Sequence, residues 1–349
     1  MYNSKKITKY KDKEQNMSHF FNRQDELIGN TPILKIQSLS KLTGCNIFIK
    51  CESFNPGGSI KDRAAKQIII DAIESKKLKP GMTIVEGTAG NTGIGLALVA
   101  KSLGYESIAV MPSGQAIEKE RMIEFFGGTL KLVPPCPFAN ENHFFHTARR
   151  ISEENPSKYF WANQFDNLSN FKAHFENTGP EIEKVFGKDL DYFICAAGTG
   201  GTIGGNTSYL KSKNSKIKTL LVDPKGSGLH SYLKSGEFIS EGTSFTEGIG
   251  NMRLVENFKK AIIDDSISLD DQYLYTIAKY VSDHDGIKLG TSSALNVAGA
   301  FHTALSAKKG SNILTFMCDL AERSYSKMNN PDFLIEKGIN FNKDIKDYL

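Results

Sequence analysis

Two glycine-rich stretches of the chain combine small residues with hydroxyl and amide side chains, EGTAGNTG at 86–93 and GTGGTIGG at 198–205. Each stretch follows an apolar run typical of a strand and precedes a helical pattern. Glycine lets the backbone approach a ligand closely, and the first turn of a helix offers unpaired N–H groups and a partial positive charge. Tight turns alone would explain one such stretch, but two in one chain favour binding of anions, either phosphate or carboxylate.

Lys61 is a third candidate for chemistry, in the segment NPGGSIKDRAAK at 55–66. Ser59 is predicted to cap a helix, with Asp62 three residues further on, so that Lys61 lies in the first turn. The helix dipole disfavours a cation there, and partial burial lowers the pKa of a lysine and makes its amine a nucleophile towards carbonyl groups. A solvated surface lysine is the alternative. A reactive lysine together with a phosphate-binding loop indicates a phosphorylated aldehyde cofactor, pyridoxal phosphate.

The 198–205 stretch also admits a second interpretation, the binding of a dinucleotide. The dinucleotide fingerprint requires glycine at its first, third and sixth positions, and Ile203 stands at the sixth position here. Asp223, at the end of the next predicted strand, would then accept a hydrogen bond from a ribose. The hydroxyl groups of Thr199 and Thr202 suit a compact phosphate monoester better, but an NAD-binding oxidoreductase stays open on these residues alone.

The elements that must position these residues alternate between apolar strands and longer helical patterns. Such alternation predicts an α/β fold with mostly parallel sheets covered by helices on both faces, here in two lobes. In these folds ligands bind beyond the carboxyl ends of the strands, where both glycine-rich stretches fall. One cleft is therefore expected to collect them. The predicted strands lie at 46–51, 83–86, 107–111, 129–133, 191–197, 218–223 and 312–318.

Composition and charge argue against several classes of protein. A net charge of +4 over 349 residues is small for a nucleic-acid binder, and no apolar run approaches the ~20 residues that cross a bilayer. Five cysteines without a C-x-x-C pair predict neither a disulfide framework nor a zinc site, and fit the reducing cytoplasm. His143 and His146 favour packing on a helix face over metal binding, and Lys119 favours a solvated helix face. Residues 1–17 are expected to form a disordered tail.

Several motifs occur in an order and at spacings that resemble one enzyme family. They are N-P-G-G-S-I-K-D-R, E-G-T-A-G-N-T-G, G-T-G-G-T, E-G-I-G at 247–250 and L-G-T-S-S-A-L-N at 289–296. Together they resemble the β-family (fold type II) pyridoxal-phosphate enzymes over residues 20–325, in the branch of cysteine synthase and cystathionine β-synthase. C-D-L-A-E-R-S-Y-S-K at 318–327 is most similar to the fungal-type cysteine synthase 2 subgroup.

The resemblance implies roles for individual residues around the cofactor. Lys61 would hold pyridoxal phosphate as a Schiff base and then act as the base that moves the substrate Cα proton. Asn91 would hydrogen-bond the 3′ oxygen of the cofactor ring, and Ser292 would face the pyridine nitrogen. The residues that would bind the cofactor phosphate are Gly198, Thr199, Gly200, Gly201 and Thr202.

The resemblance also assigns the substrate to the first glycine-rich stretch. Gln164 would assist in gripping the substrate carboxylate, and Gly248 would let the substrate approach from the other lobe. Ala89 stands where the family loop usually carries serine, so one hydroxyl donor is lost and the choice of substrate is affected. The residues that would grip the carboxylate are Thr88, Ala89, Gly90, Asn91 and Thr92.

The reaction implied by the resemblance is β-replacement on an O-activated L-serine, most simply O-acetyl-L-serine, with sulfide to give L-cysteine. Enzymes that use serine or cysteine instead, forming cystathionine, lanthionine or cyanoalanine or releasing sulfide, are the near alternative, and a non-catalytic relative is a distant one.

The resemblance further implies a tryptophan-synthase-β-like fold, with a large cofactor-binding domain at 18–54 plus 166–349 and a smaller mobile domain at 55–165. The resemblance also implies a cytoplasmic location, a homodimer and a complex with serine acetyltransferase.

Overall fold

The computed structural model describes residues 20–349, so the tail expected at 1–17 lies outside the described residues. Strands and helices alternate along most of this part of the chain. The strands are β1 (Ile33–Lys35), β2 (Asn46–Cys51), β3 (Thr83–Gly87), β4 (Glu106–Pro112), β5 (Thr129–Val133), β6 (Tyr159–Trp161), β7 (Tyr192–Cys195), β8 (Lys218–Pro224), β9 (Asp265–Leu269) and β10 (Asn312–Met317).

Helices follow most of the strands and cover the sheets. A π-helical turn (His174–Thr178) joins two of them, α6 and α7 below. The α-helices are α1 (Gln37–Thr43), α2 (Lys61–Glu74), α3 (Asn91–Leu103), α4 (Ile117–Phe125), α5 (Phe144–Glu154), α6 (Ser169–Ala173), α7 (Gly179–Phe186), α8 (Gly201–Lys213), α9 (Leu229–Ser235), α10 (Asp271–Asp285), α11 (Thr291–Ser306), α12 (Tyr325–Met328) and α13 (Pro331–Glu336).

Two sheets form the frame of the described residues. A six-stranded sheet has the order β1-β2-β10-β7-β8-β9, and a four-stranded sheet has the order β5-β4-β3-β6. Neighbouring strands run parallel except for β1 and β2, which are antiparallel. The predicted α/β fold with two mostly parallel sheets is confirmed. In parallel sheets, ligands bind beyond the carboxyl ends of the strands. The loops that follow β3 and β7 lie at such ends, one in each sheet.

The helices that carry the candidate residues are anchored by burial. The α3 helix is apolar around its whole circumference and is buried from Thr92 to Ala100, and α11 is buried along most of its length. Gly95 on α3 allows α2 to approach closely, since a Cβ at this position would lie 3.2 Å from the Cα of Asp62. This contact fixes the first turn of α2, where Lys61 lies.

Two helices begin later than the sequence pattern predicts. The helix expected from Ser59 begins at Lys61; the Ser59 hydroxyl accepts the Lys61 N–H at 3.3 Å, while Asp62 accepts the N–H of Gly57 at 2.6 Å. Residues 139–154 also carry a helical sequence pattern, but the helix there begins at Phe144, where the ring of His143 accepts the N–H of Phe145 at 3.3 Å.

Two further findings concern membranes and metals. Within residues 20–349, no helix combines the length and the apolar composition that a membrane span needs. The same residues contain no group of three or more His, Cys, Asp or Glu side chains placed to hold a metal ion. His143 and His146 instead pack against the ring of Phe138, with centroid distances of 5.4 and 4.6 Å.

Candidate active site

A cavity of about 230 Å³ lies where the loops after β3 and β7 meet. It brings together nearly all of the residues singled out from the sequence, and their chemical roles stay predictions. Gly201 does not line the cavity; it is the buried first residue of α8, directly behind the loop. The predicted residues that line the cavity are Lys61, Thr88, Ala89, Gly90, Asn91, Thr92, Gln164, Gly198, Thr199, Gly200, Thr202, Gly248 and Ser292.

Lys61 enters this cavity from the first position of α2. Its Nζ makes no hydrogen bond or ion pair with any of the described residues. Two thiols, those of Cys195 and Cys318, also line the cavity, but burial raises the pKa of both, and that of Cys318 to about 12. Because both thiols stay protonated at neutral pH, neither supplies a thiolate nucleophile to the cavity.

The 198–202 loop needs its glycines for steric reasons. A Cβ at Gly198 would overlap the carbonyl oxygen of Gly248, and one at Gly200 would overlap the backbone N of Phe258. Gly200 also has a φ of +80°, which side chains rarely adopt. The loop therefore brings bare backbone to the start of α8, where unpaired N–H groups and the helix dipole favour an anion.

The two threonine hydroxyls of this loop are oriented by buried side chains that sequence patterns did not reveal. The Nδ2 of Asn170 donates to the Thr199 hydroxyl at 2.9 Å, and the Nε2 of His174 lies 3.2 Å from the Thr202 hydroxyl. Burial lowers the pKa of His174 well below its ordinary value, so its ring is neutral. Thr178 holds the other ring nitrogen at 3.0 Å. Asn170 and His174 are thus placed to fix the donors that face the cavity.

The 88–92 loop is held by its own hydroxyls. The Thr88 hydroxyl accepts the N–H of Gly90 at 2.9 Å, and the Thr92 hydroxyl donates to Gln164 at 2.5 Å. Gln164 in turn donates to the carbonyl of Gly87 at 2.9 Å. Because the Thr92 proton is engaged inside the protein, an anion at this loop relies chiefly on the free N–H groups at the start of α3.

Asn91 and Ser292 approach the cavity from two helices, α3 and α11, that pack on different sheets. Asn91 begins α3, and its Nδ2 donates to Asp319, which follows β10, at 2.7 Å. The amide keeps its second N–H for a ligand, while its Oδ1 is buried without a partner among the described residues. Ser292 is the second residue of α11 and is 7% exposed. A neutral hydroxyl at this place accepts or donates a hydrogen bond but supplies no charge.

Lys119 corrects the prediction of a solvated helix face on α4. Its side chain is buried, lines the cavity and forms an ion pair with Glu247. The aliphatic stem lies over the 88–92 loop, where a Cβ at Gly90 would come within 2.5 Å of the Lys119 Cδ. The residues directly before and after Lys119 in the sequence are glutamates, so only the tertiary contact with Glu247 distinguishes Lys119 from a solvated residue.

Glu86 is the penultimate residue of β3, the strand that leads into the 88–92 loop, and its carboxyl group is buried. One oxygen accepts the N–H of Gln164 at 3.3 Å, and the other has no partner in residues 20–349. Burial raises the pKa of Glu86 to about 8. The folded protein therefore keeps a proton at neutral pH that the unfolded chain, in which the carboxyl group has its ordinary pKa of 4.5, releases.

Glu86→Gln is expected to stabilise the protein more at pH 8 than at pH 5. As pH rises from 4.5 to about 8, the unfolded chain loses its proton first, so the free energy of unfolding of the wild type falls. Each unit of raised pKa accounts for about 1.4 kcal/mol. The glutamine variant has no proton to lose. Urea unfolding at both pH values measures the difference, and an equal effect at both would contradict the raised pKa.

Known proteins that are similar to this chain in sequence belong to one enzyme family. Residues 25–319 match the family described as pyridoxal-phosphate dependent enzyme. The chain belongs to this family. Cysteine synthase 1 of Emericella nidulans is 44% identical, over 92% of this chain and 88% of that protein. Cysteine synthase 2 of Schizosaccharomyces pombe is 42% identical, over 91% of this chain and 86% of that protein.

Solved structures agree with the family. The crystal structure of an O-acetylserine-dependent cystathionine β-synthase from Helicobacter pylori aligns with a TM-score of 0.80 at 29% identity, and covers 89% of this chain and 99% of that one. The resemblance seen in the motifs is thus confirmed, and the oxidoreductase alternative falls. Asp223, which that alternative required, accepts the N–H of His230 at 2.8 Å and does not line the cavity.

The residues of the cavity fit pyridoxal phosphate. The 198–202 loop offers backbone N–H groups and two hydroxyls to a phosphate, and its glycines leave the space that side chains would fill. The free amine of Lys61 suits an aldehyde carbon. Asn91 and Ser292 add one polar group from each sheet for the substituents of the ring. No carboxylate lies among these four groups, which suits a dianionic phosphate.

Proposed function

We propose that the protein converts O-acetyl-L-serine and sulfide into L-cysteine and acetate, with pyridoxal phosphate bound to Lys61. The observation that carries this proposal is the unpartnered Lys61 amine between two anion-binding loops in a chain of this family. Relatives named cysteine synthase support the substrate class. The 198–202 loop is proposed to hold the cofactor phosphate, and the 88–92 loop the substrate carboxylate.

The residues of the cavity divide the chemical work. When bound, the cofactor withdraws electrons from the substrate Cα and so makes its proton acidic. The Lys61 amine takes this proton, which frees acetate from Cβ, and hydrosulfide then adds to the same carbon. Lys61 returns a proton to Cα. Ser292, being neutral, leaves the ring without a full positive charge, which favours elimination at Cβ over reactions that need a stronger electron sink.

Exclusion of water is proposed to depend on two domains that close over the substrate. The larger comprises residues 18–54 and 166–349, and the smaller and mobile one comprises residues 55–165. Sheet membership supports this division, because β3 to β6 form one sheet and the remaining strands the other. The 88–92 loop belongs to the smaller domain, so a bound carboxylate would draw the domains together and shield the reacting Cβ.

Product analysis tests the proposed function. The purified protein with its cofactor is mixed with sulfide and, separately, with O-acetyl-L-serine, O-phospho-L-serine, L-serine or L-cysteine, and the amino-acid products are measured by mass spectrometry. We expect cysteine to form fastest from O-acetyl-L-serine. Turnover confined to serine or cysteine would overturn the assignment in favour of the near alternative. A Lys61→Ala protein serves as the inactive control.

Ala89→Ser is expected to strengthen binding of the amino-acid substrate. The new hydroxyl would lie in the 88–92 loop beside the cavity, where it donates to the substrate carboxylate. A hydrogen bond to a charged group contributes about 1.5 kcal/mol or more, so KM for O-acetyl-L-serine should fall about tenfold. Steady-state kinetics at saturating sulfide measure this change. An unchanged KM would show that the carboxylate does not reach this position.

Assembly and location complete the proposal. We infer a homodimer in the cytoplasm, with serine acetyltransferase as a further partner. Exposed aromatic side chains, such as Phe54 (68% exposed) and Phe125 (76%), support the existence of a covering partner. Light scattering during size-exclusion chromatography gives the mass of the assembly, and a monomer at micromolar concentration would contradict the dimer.

A further inference from the structure

The carboxylate of Glu247 is bound by three groups from two parts of the chain. One oxygen accepts the N–H of Ala116 at 3.0 Å and pairs with the Nζ of Lys327 at 2.5 Å. The other oxygen pairs with the Nζ of Lys119. Burial alone would raise the pKa of Glu247, but the two ammonium groups outweigh it and hold the pKa below its ordinary value. The group is therefore ionised and fully engaged.

These contacts join the two sheets of the fold. Ala116 and Lys119 lie at the start of α4, which precedes β5 of the four-stranded sheet. Lys327 lies on α12, after β10 of the six-stranded sheet. A second contact runs parallel to the first, since Glu118 accepts the N–H and the hydroxyl of Ser326 at 3.0 and 2.9 Å. The ion pair is thus held in a fixed position by both sheets.

The same pair forms part of the cavity wall. Lys119 and Glu247 both line the cavity, and the Lys119 stem lies over Gly90 of the 88–92 loop. The segment after Glu247 lies against the other loop, where Gly250 donates to the carbonyl of Ala197 at 2.8 Å. The wall therefore connects both glycine-rich loops, so a nucleophile that enters the cavity on this side passes the ion pair.

The chemistry of this wall favours a small nucleophile. Its one carboxylate and two ammonium groups are all engaged in ion pairs with one another, so a charged group on an incoming thiol would have to compete with these pairs. A larger thiol would have to separate the pair, and separating a buried ion pair leaves charges without partners, which is strongly unfavourable. The cavity of about 230 Å³ must also hold the cofactor and the amino acid. Hydrosulfide has one heavy atom and needs no such separation.

We propose that the Lys119–Glu247 pair, braced by Lys327, is a specificity gate that admits hydrosulfide and excludes larger thiols. This inference rests on the proposed function for its substrate, but the gate itself is a property of the cavity wall. The gate distinguishes enzymes that form cysteine from those that add a thiol-bearing amino acid, because only the latter need room beyond the wall.

Kinetic selectivity tests the gate in the enzyme with its cofactor. The variants are Glu247→Gln, Lys119→Gln and the double variant, in which two neutral amides keep a hydrogen bond across the wall. With O-acetyl-L-serine fixed, kcat/KM is measured for sulfide and for 2-mercaptoethanol. We expect the ratio of the two to shift about tenfold or more towards 2-mercaptoethanol. Lys172→Gln is the matched control, because Lys172 pairs with Asp71 at 2.8 Å between α6 and α2 but outside the cavity.

A second readout does not depend on the proposed reaction. Hydroxylamine and the bulkier phenylhydrazine both condense with the cofactor carbonyl and release the lysine amine, and the loss of cofactor absorbance gives their rates. An open gate should raise the phenylhydrazine rate relative to hydroxylamine about tenfold. If neither ratio changes in a double variant that melts like the wild type, the gate is wrong. If only the hydrazine ratio shifts and the wild type forms no cysteine, the gate stands and the proposed function fails.

Discussion

Lys61→Ala is expected to lower kcat for cysteine formation by a factor of about 10³ or more, since proton transfer by a positioned base alone contributes about 10²–10⁴. The variant lacks both the amine that is proposed to bond to the cofactor and the proposed base beside the substrate Cα. The thiols of Cys195 and Cys318 do not replace it, because burial keeps them protonated, and the Lys119 amine is held in its ion pair with Glu247. Initial rates with O-acetyl-L-serine and sulfide measure the loss.

Lys66→Ala provides the control for this substitution. Lys66 lies on the same helix as Lys61, but its Nζ donates to the carbonyl of Asp25 at 2.9 Å and does not line the cavity. We expect this variant to keep its activity and its cofactor absorbance. If the Lys61→Ala protein were as active as the wild type, the proposed catalytic role of Lys61 would be contradicted, whether or not the variant still binds the cofactor.

Gly198→Ala is expected to weaken cofactor binding about 10- to 100-fold, because overpacking of this kind costs about 1–3 kcal/mol. The added methyl group would overlap the carbonyl oxygen of Gly248. Neither group can turn away by itself, because the oxygen belongs to the backbone and the methyl group is bonded directly to it. The 198–202 loop or the 248–250 segment must therefore move, and the N–H groups at the start of α8 lose their position. Titration of the cofactor-free protein with pyridoxal phosphate, followed by absorbance, gives the dissociation constant.

A second glycine separates a local effect from general destabilisation. Gly81→Ala introduces a methyl group at a position with no atom within 4 Å, although its φ of +85° makes it strained. It should lower the melting temperature while leaving cofactor affinity unchanged. If Gly198→Ala lowers only the melting temperature as well, the 198–202 loop does not bind the phosphate.

The parts of the site that the sequence predicts are those encoded by local chemistry. Lys61 and the two glycine-rich loops stand in strand–turn–helix segments, where glycine, hydroxyl residues and helix starts leave a pattern within about ten residues. The α/β fold follows from the alternation of apolar strands and helices in the same way. Physical reasoning from these residues predicted anions at both loops, whereas only the resemblance assigned a phosphate to one and a carboxylate to the other.

The remainder of the site depends on contacts between distant segments. Asn170 and His174 orient the threonine hydroxyls from a neighbouring helix, and Glu247 reaches Lys119 across 128 positions of the chain. Neither contact leaves a local pattern, so Lys119 has the sequence environment of a solvated residue. The strands β1, β6 and β9 lack a prediction for local reasons. The strands β1 and β6 have only three residues each, which carry too little periodicity, and β9 (DSISL) is not an apolar run.

Borohydride reduction tests the role of Lys61 most directly. The reagent converts the bond between a lysine amine and the cofactor carbonyl into a stable secondary amine, and proteolysis with mass spectrometry then locates the modified residue. We expect the pyridoxyl phosphate group on the peptide that contains Lys61, and loss of that modification when O-acetyl-L-serine is present before reduction. Modification of a different lysine, or none in a protein that forms cysteine, would contradict the assignment.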